Sequence, residues 1–118
     1  MAAMTKMNKI VIIGAKVDDM SWEYEGDLAA ASNGPWIEIP RMMQNISIQV
    51  EAAGGASCKV QYTASARDTV EGGTPIIQDW DEGVITSGNV GSASFYPHTA
   101  VRLVQSGAGT SKITIRAQ

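Results

Sequence analysis

Alternation of apolar and polar residues is the feature that most restricts how this chain can fold. Apolar residues stand at every second position in residues 46–51 and again in residues 57–64. A period of two places such residues on one face of a β-strand. Residues 53–56, Ala-Gly-Gly-Ala, separate the two runs and are typical of a hairpin turn. No window spaces its apolar residues as an amphipathic helix does, so the pattern predicts an all-β protein.

A second hairpin is predicted near the end of the sequence, where residues 100–105 and 112–117 flank a Ser-Gly-Ala-Gly-Thr turn. Strands separated by glycine-rich turns are typical of sandwiches and barrels. We expect a single antiparallel β-sandwich, of the jelly-roll or Ig-like type. Shorter candidate strands lie at 9–17, 36–39, 76–80, 84–86 and 94–96. The side chains expected to face the interior are Ile46, Ile48, Val50, Val60, Tyr62, Leu103, Ile113 and Ile115.

A length of 118 residues favours one domain, which we place at residues 9–118. Residues 18–34 are predicted to form a long loop, with one short helical turn near the three alanines at 29–31 as the alternative.

Residues 1–8 are predicted to form a flexible N-terminal arm, because their pattern suggests no strand partner. Methionine is flexible and polarizable, so Met1, Met4 and Met7 suit a segment that becomes ordered against an apolar groove of a partner. We expect an arm that is disordered in the isolated protein and ordered in an assembly.

The charge composition argues against a nucleic-acid partner. Nine basic and twelve acidic residues leave a net charge of −3, and the basic residues are scattered, whereas phosphate binding needs clustered Lys and Arg. The aliphatic run at residues 10–13 is too short for a signal peptide or a membrane span. We expect a soluble protein, made in a reducing cytoplasm, with no direct nucleic-acid or membrane partner.

Residue types used in catalysis and metal binding are scarce. His98 is the single imidazole, and no serine lies in a G-x-S-x-G motif. Cys58 falls on the inward face of its predicted strand, and one His with one Cys excludes a zinc site. Asp79-Trp80-Asp81-Glu82 begins with calcium-like spacing, but Gly83 takes the next ligand position and no closing Glu follows. We predict no catalytic residue, no metal and no cofactor, and hence a protein that is not an enzyme.

The aromatic residues leave two interpretations open. Trp22, Tyr24, Trp36 and Trp80 could form a platform on which sugars stack. With three Trp, three Tyr and one Phe in the chain, most rings are needed for the core. We expect core packing for Trp80 and edge or interface packing for Trp36, and a carbohydrate platform stays open for Trp22 and Tyr24. The candidate partner-contact residues are therefore Met1, Met4, Met7, Trp22, Tyr24 and Trp36.

The stretch Gly34-Pro35-Trp36-Ile37-Glu38-Ile39-Pro40, followed by the alternating strand at 46–51, resembles small virion proteins of tailed bacteriophages. The strand at 100–104, the Ser-Gly-Ala-Gly turn and the last strand at 113–115 extend the resemblance over residues 34–117. The chain departs from the pattern at 66–69, where Ala-Arg-Asp-Thr replaces a Ser-Asn-Asp-Gly turn, so no contact residue is carried over from the group.

This resemblance implies a β-sandwich without enzymatic activity that decorates and stabilises the outer surface of a phage capsid (a cement protein). The implied partner is the major capsid protein, the implied location is the virion surface, and the protein is expected to form a symmetric homo-oligomer, a trimer or a dimer. The alternative is a tail or fibre component that binds a host receptor or a glycan.

Overall fold

The computed structural model describes residues 4–7, 9–12, 20–40, 46–80, 83–86, 88–94 and 99–117. Within these ranges the chain forms strands and one short helix. In chain order they are β1 (Thr5–Lys6), β2 (Lys9–Ile12), β3 (Met20–Leu28), β4 (Ser32–Asn33), β5 (Ile37–Glu38), β6 (Ile46–Ala53), β7 (Ser57–Thr63), α1 (Arg67–Gly72), β8 (Gln78–Asp79), β9 (Gly88–Ser94), β10 (Ala100–Ser106) and β11 (Thr110–Ala117). No helix in these ranges has the length and apolarity needed to cross a membrane.

Two sheets pack face to face, which confirms the predicted sandwich. The first sheet has the order β1-β5-β10-β7-β8, with β4 also paired to β10, and the second has the order β2-β3-β11-β6-β9. The described strand pairs are antiparallel, apart from the parallel pair β1–β5.

The two predicted hairpins are wrong, although all four of their strands exist. β6 and β10 are each followed by a tight turn, but the next strand lies in the other sheet in both cases. Each turn therefore crosses the sandwich, and the apolar faces of the two strands meet across the core instead of lying side by side. Alternation identifies the buried face of a strand and contains no information about the neighbour to which the strand is hydrogen-bonded.

The core forms where these apolar faces meet. Side chains at every second position of β6 and β11 are buried, and their neighbours point outward. Tyr62, which was expected to be buried, is half-buried and packs against the edge of this core. The other seven residues predicted to face inward are confirmed as buried: Ile46, Ile48, Val50, Val60, Leu103, Ile113 and Ile115.

Residues 20–28 correct the expected loop or helical turn in 18–34. They form β3, which pairs with β11 over seven positions and also with β2. Exposed or half-buried carboxylates alternate along β3 with aromatic residues that pack on the core, so the strand follows the same period of two. The helix lies elsewhere, at α1.

The N-terminal residues 4–7 correct the expected flexible arm over 1–8. The Thr5 amide donates to the Trp36 carbonyl at 2.7 Å, and β1 pairs with β5 at the edge of the first sheet. Met7 is 2% exposed in the main core, and Met4 is 9% exposed in a smaller cluster with Val70 and Ala100. Burying both side chains offsets the entropy lost when the segment becomes ordered. Met1 lies outside the described residues.

Candidate functional site

The aromatic candidates lie on two different sheets. Trp22 and Tyr24 are on β3 and turn inward, where both rings are half-buried against the main core. Burial, and secondly the nearby Asp27 carboxylate, raise the pKa of the Tyr24 phenol. Trp36 precedes β5 and packs on the smaller cluster outside the first sheet. The three rings therefore do not form one platform.

Trp36 belongs instead to a row of four side chains that crosses the outer face of the first sheet. Arg102 on β10 stands opposite Gln61 on β7, and Gln61 stands opposite Asp79 on β8. Trp36 stands on the other side of Arg102, one residue beyond the Val101–Ile37 pair. We call these four residues (Trp36, Arg102, Gln61 and Asp79) the Arg102 row.

Direct contacts join the members of the Arg102 row. The guanidinium carbon of Arg102 lies 4.5 Å from the centroid of the Trp36 ring. Arg102 donates from Nε and Nη2 to Gln61 Oε1 at 3.0 and 2.8 Å. Gln61 Nε2 donates to Asp79 Oδ1 at 3.1 Å, and Lys59 Nζ lies 3.5 Å from Asp79 Oδ2. The amide of Gln61 therefore links a cation on β10 to a carboxylate on β8.

The row ends at an exposed edge of the first sheet. We call residues 76–80 and 83–86, which run along β7, the β8 edge. Its backbone is attached to β7 by paired hydrogen bonds between Cys58 and Ile85, of 2.9 and 2.7 Å, and by the bond from the Trp80 amide to the Val60 carbonyl, 3.0 Å. Among residues whose side chains are described, the large apolar ones that are exposed all lie on this edge: Ile76 (74%), Ile77 (41%) and Val84 (64%).

The groups considered for catalysis do not converge. Cys58 is buried, and its Sγ lies 3.6 Å from the Ile85 carbonyl oxygen. Burial raises the pKa of the Cys58 thiol, which disfavours the nucleophilic thiolate. His98, Asp81 and Glu82 lie outside the described residues. Within the described ranges, no three His, Cys, Asp or Glu side chains are grouped so that they could hold a metal ion.

Sequence reasoning missed the Arg102 row, whose members come from four separate segments. Arg102 and Gln61 were visible only as polar positions on the outward faces of alternating strands. Their meeting depends on the register between β10 and β7, and no local pattern in the sequence specifies that register.

Comparison with known proteins finds likeness in structure but not in sequence. No protein-family model matches the sequence, and no curated protein matches it. A solved structure that matches comes from work on Bacillus endospore appendages, described there as a novel family of disulfide-linked pili. The two chains are 16% identical, the match covers 95% of this chain and 92% of that one, and the TM-score is 0.48. A likeness at this level says nothing about what this chain binds or assembles with.

Proposed function

We propose that this protein is a non-enzymatic structural protein of a phage virion, which decorates and stabilises the outer surface of the capsid. In this proposal it binds the major capsid protein through the β8 edge, as a symmetric homo-oligomer. It is made in the host cytoplasm and then carried on the virion. The observation that carries the proposal is the exposure of Ile76, Ile77 and Val84 along one edge of one sheet, because large apolar side chains exposed on the same edge favour a protein–protein contact.

The backbone of the β8 edge supports the same function. β8 is the last strand in the order of the first sheet and pairs only with β7 among the described strands. Its outer side therefore presents backbone groups that can accept a strand from a partner.

The edge is also held in place before any partner arrives. The Ile76 amide donates to Ser65 Oγ at 2.9 Å, and the Gly83 amide donates to the Trp80 carbonyl at 3.1 Å. A preformed edge loses little conformational entropy on binding, so more of the contact energy remains as affinity.

A host-receptor or glycan-binding role in the tail receives less support. That role depended on Trp22 and Tyr24 as a stacking platform, and both rings pack against the core. The third ring, Trp36, already carries the Arg102 guanidinium.

The proposal is tested by sedimentation of the purified protein with phage capsids that lack it, together with its native mass. We expect saturable binding at a stoichiometry that matches the capsid symmetry. Ile76→Asp and Val84→Asp should each weaken binding by about 10-fold or more, because a buried aliphatic side chain contributes roughly 1.5–3 kcal/mol. Gln49→Asp is the matched control, since it adds the same charge at an exposed position of β6 in the other sheet.

Three outcomes would overturn the proposal. One is a stable monomer that does not sediment with capsids, and another is polymerisation of the isolated protein without capsids. The third is saturable glycan binding that Trp22→Ala abolishes, which would establish the tail or fibre role instead.

A further inference from the structure

Arg102 differs from the other arginines of the described residues in its partners. Arg67 forms an ion pair with Glu38, and Arg116 Nε lies 3.8 Å from Glu23 Oε2. Arg102 contacts an amide and an aromatic ring, and no described carboxylate pairs with it. Burial lowers the pKa of the Arg102 guanidinium. A partly desolvated cation of this kind gains more from an added anion than a fully solvated one does.

Trp36 and Gln61 fix the orientation of the guanidinium. The ring lies under its carbon at 4.5 Å, while Oε1 of Gln61 accepts two of its hydrogen bonds. Trp36 is itself packed against Met4, Val70 and Ala100. The cation is therefore presented on a rigid support, and little side-chain entropy remains to be lost when a ligand binds.

Part of the hydrogen-bonding capacity of Arg102 is unused. A guanidinium has five N–H donors in a planar fork. The N–H of Nε and one N–H of Nη2 point to Gln61. Nη1 has no acceptor in the described part of the chain and is not buried. The free side of the fork has the geometry that pairs with the two oxygens of a carboxylate.

We propose that Arg102, oriented by Trp36 and Gln61, binds a carboxylate side chain on the surface of a protein partner. The inference rests on the proposed function for the identity of that partner, the major capsid protein, but not for the chemistry of the site.

Position on the sheet favours an acidic side chain of a protein over a small acidic ligand. The Arg102 row lies on the outer face of the first sheet and ends at Asp79, within the β8 edge. A single surface of a protein partner can therefore contact the Arg102 row and the β8 edge together. Small-molecule sites are usually concave. The Trp36 ring already holds the guanidinium and is not open for stacking on a sugar acid.

The chemistry is tested on the full-length protein by NMR of the arginine Nε–Hε groups, with sodium acetate as the probe and sodium chloride keeping the ionic strength constant. We expect a saturable shift of the Arg102 signal, which is assigned by its loss in Arg102→Lys. The signal of Arg67, which is paired with Glu38, and that of Arg116, whose Nε is buried near Glu23, should stay in place. Gln61→Leu keeps the cation but removes its anchor, and it should weaken acetate binding by about fivefold.

Inorganic phosphate in place of acetate distinguishes a carboxylate site from a general anion site. Tighter saturable binding of phosphate than of acetate would overturn the assignment to a carboxylate. A linear, non-saturating response to acetate, or equal responses of Arg67, Arg102 and Arg116, would overturn the site itself.

The second measurement uses capsids that lack the protein. Arg102→Lys keeps the charge and loses the fork, so it should weaken capsid binding by about 10-fold. Arg116→Lys, the matched control on the other sheet, should bind within about twofold of the unchanged protein. If Arg102 binds acetate but the protein does not bind capsids, the carboxylate site is supported and the proposed function is wrong. Capsid binding that Arg102→Lys does not weaken would overturn the inference alone.

Discussion

At the scale of single residues, burial changes the pKa of two side chains, Cys58 and Tyr24. Desolvation raises the pKa of the Cys58 thiol above its ordinary value of 9.0, and it is the larger cause of the raised pKa of Tyr24, whose ordinary value is 10.0. In both cases the folded protein holds the proton more tightly than the unfolded chain does. The contribution of each protonated group to the stability of the fold is therefore fully present below the ordinary pKa of that group. It is lost as the pH rises through the raised pKa of the folded protein.

We predict a loss of stability at alkaline pH that these two groups cause in part. The urea midpoint of the unchanged protein should fall between pH 8 and about pH 10.5. In the double variant Cys58→Ala, Tyr24→Phe the fall should be smaller, although the variant starts from lower stability because of the atoms removed. Equal falls in the two proteins would show that the buried thiol and phenol do not control this pH dependence.

The crossing turns decide the architecture at the scale of elements. Gly54 and Gly55 connect β6 to β7, and Gly107 and Gly109 connect β10 to β11, all four with positive φ. The turns touch each other, since a Cβ on Gly109 would lie 2.5 Å from the Ala53 carbonyl oxygen.

A buried polar pair holds the second turn. Ser111 Oγ donates to Gln105 Oε1 at 2.6 Å, and Gln105 Nε2 donates to the Gly109 carbonyl at 2.9 Å. Both side chains are buried, and each compensates the desolvation of the other, because a buried polar group without a partner would be costly.

We predict that alanine is tolerated differently at two of these glycines. Gly55→Ala should cost about 1–2 kcal/mol, the strain of an L-residue at positive φ, because no atom lies within 4 Å of the added Cβ. Gly109→Ala should cost more than about 2 kcal/mol, because its Cβ would also overlap the backbone of the first turn. Unfolding in urea measures both losses, and equal costs would mean that the turns do not pack as described.

At the scale of the whole molecule, the N-terminal segment closes the sandwich. Met7 fills the main core between the sheets, and Met4 joins the cluster that α1 forms with the outer face of the first sheet. Residues 4–7 thus connect both apolar clusters of the described residues, and β1 pairs with the side of β5 that faces away from β10.

We predict that deleting residues 1–7 lowers the melting temperature of the isolated protein by roughly 10 °C or more. The physical reason is the lost burial of two methionines, about 1.5–3 kcal/mol for each side chain. Met7→Leu is the control, since a swap that conserves volume should cost less than about 1.5 kcal/mol. If the truncated protein has an unchanged melting temperature, residues 4–7 do not stabilise the sandwich and the segment is a flexible arm.

The sequence alone determined four of the long strands and the face of each that turns toward the core. β6, β7, β10 and β11 were all recognised, because a period of two is a local property that a few consecutive residues express. The same signal was present in β3, where aromatic residues alternate with carboxylates, but the three alanines and the Asn-Gly pair that follow it suggested a loop. β9, with the sequence Gly-Asn-Val-Gly-Ser-Ala-Ser, has almost no pattern to read.

Only the tertiary structure decided how the strands pair. A turn of two to four residues can fold a strand back within its own sheet or carry it across to the other, and both arrangements bury the same side chains. The choice depends on contacts between residues far apart in sequence, such as Gly109 with Ala53 and Gln61 with Arg102. The Arg102 row is a product of that choice, because its four members come from segments that share no local pattern and meet only in the completed sandwich. The β8 edge is one short stretch of the sequence, and the tertiary structure decided that it pairs with β7 at the end of the first sheet.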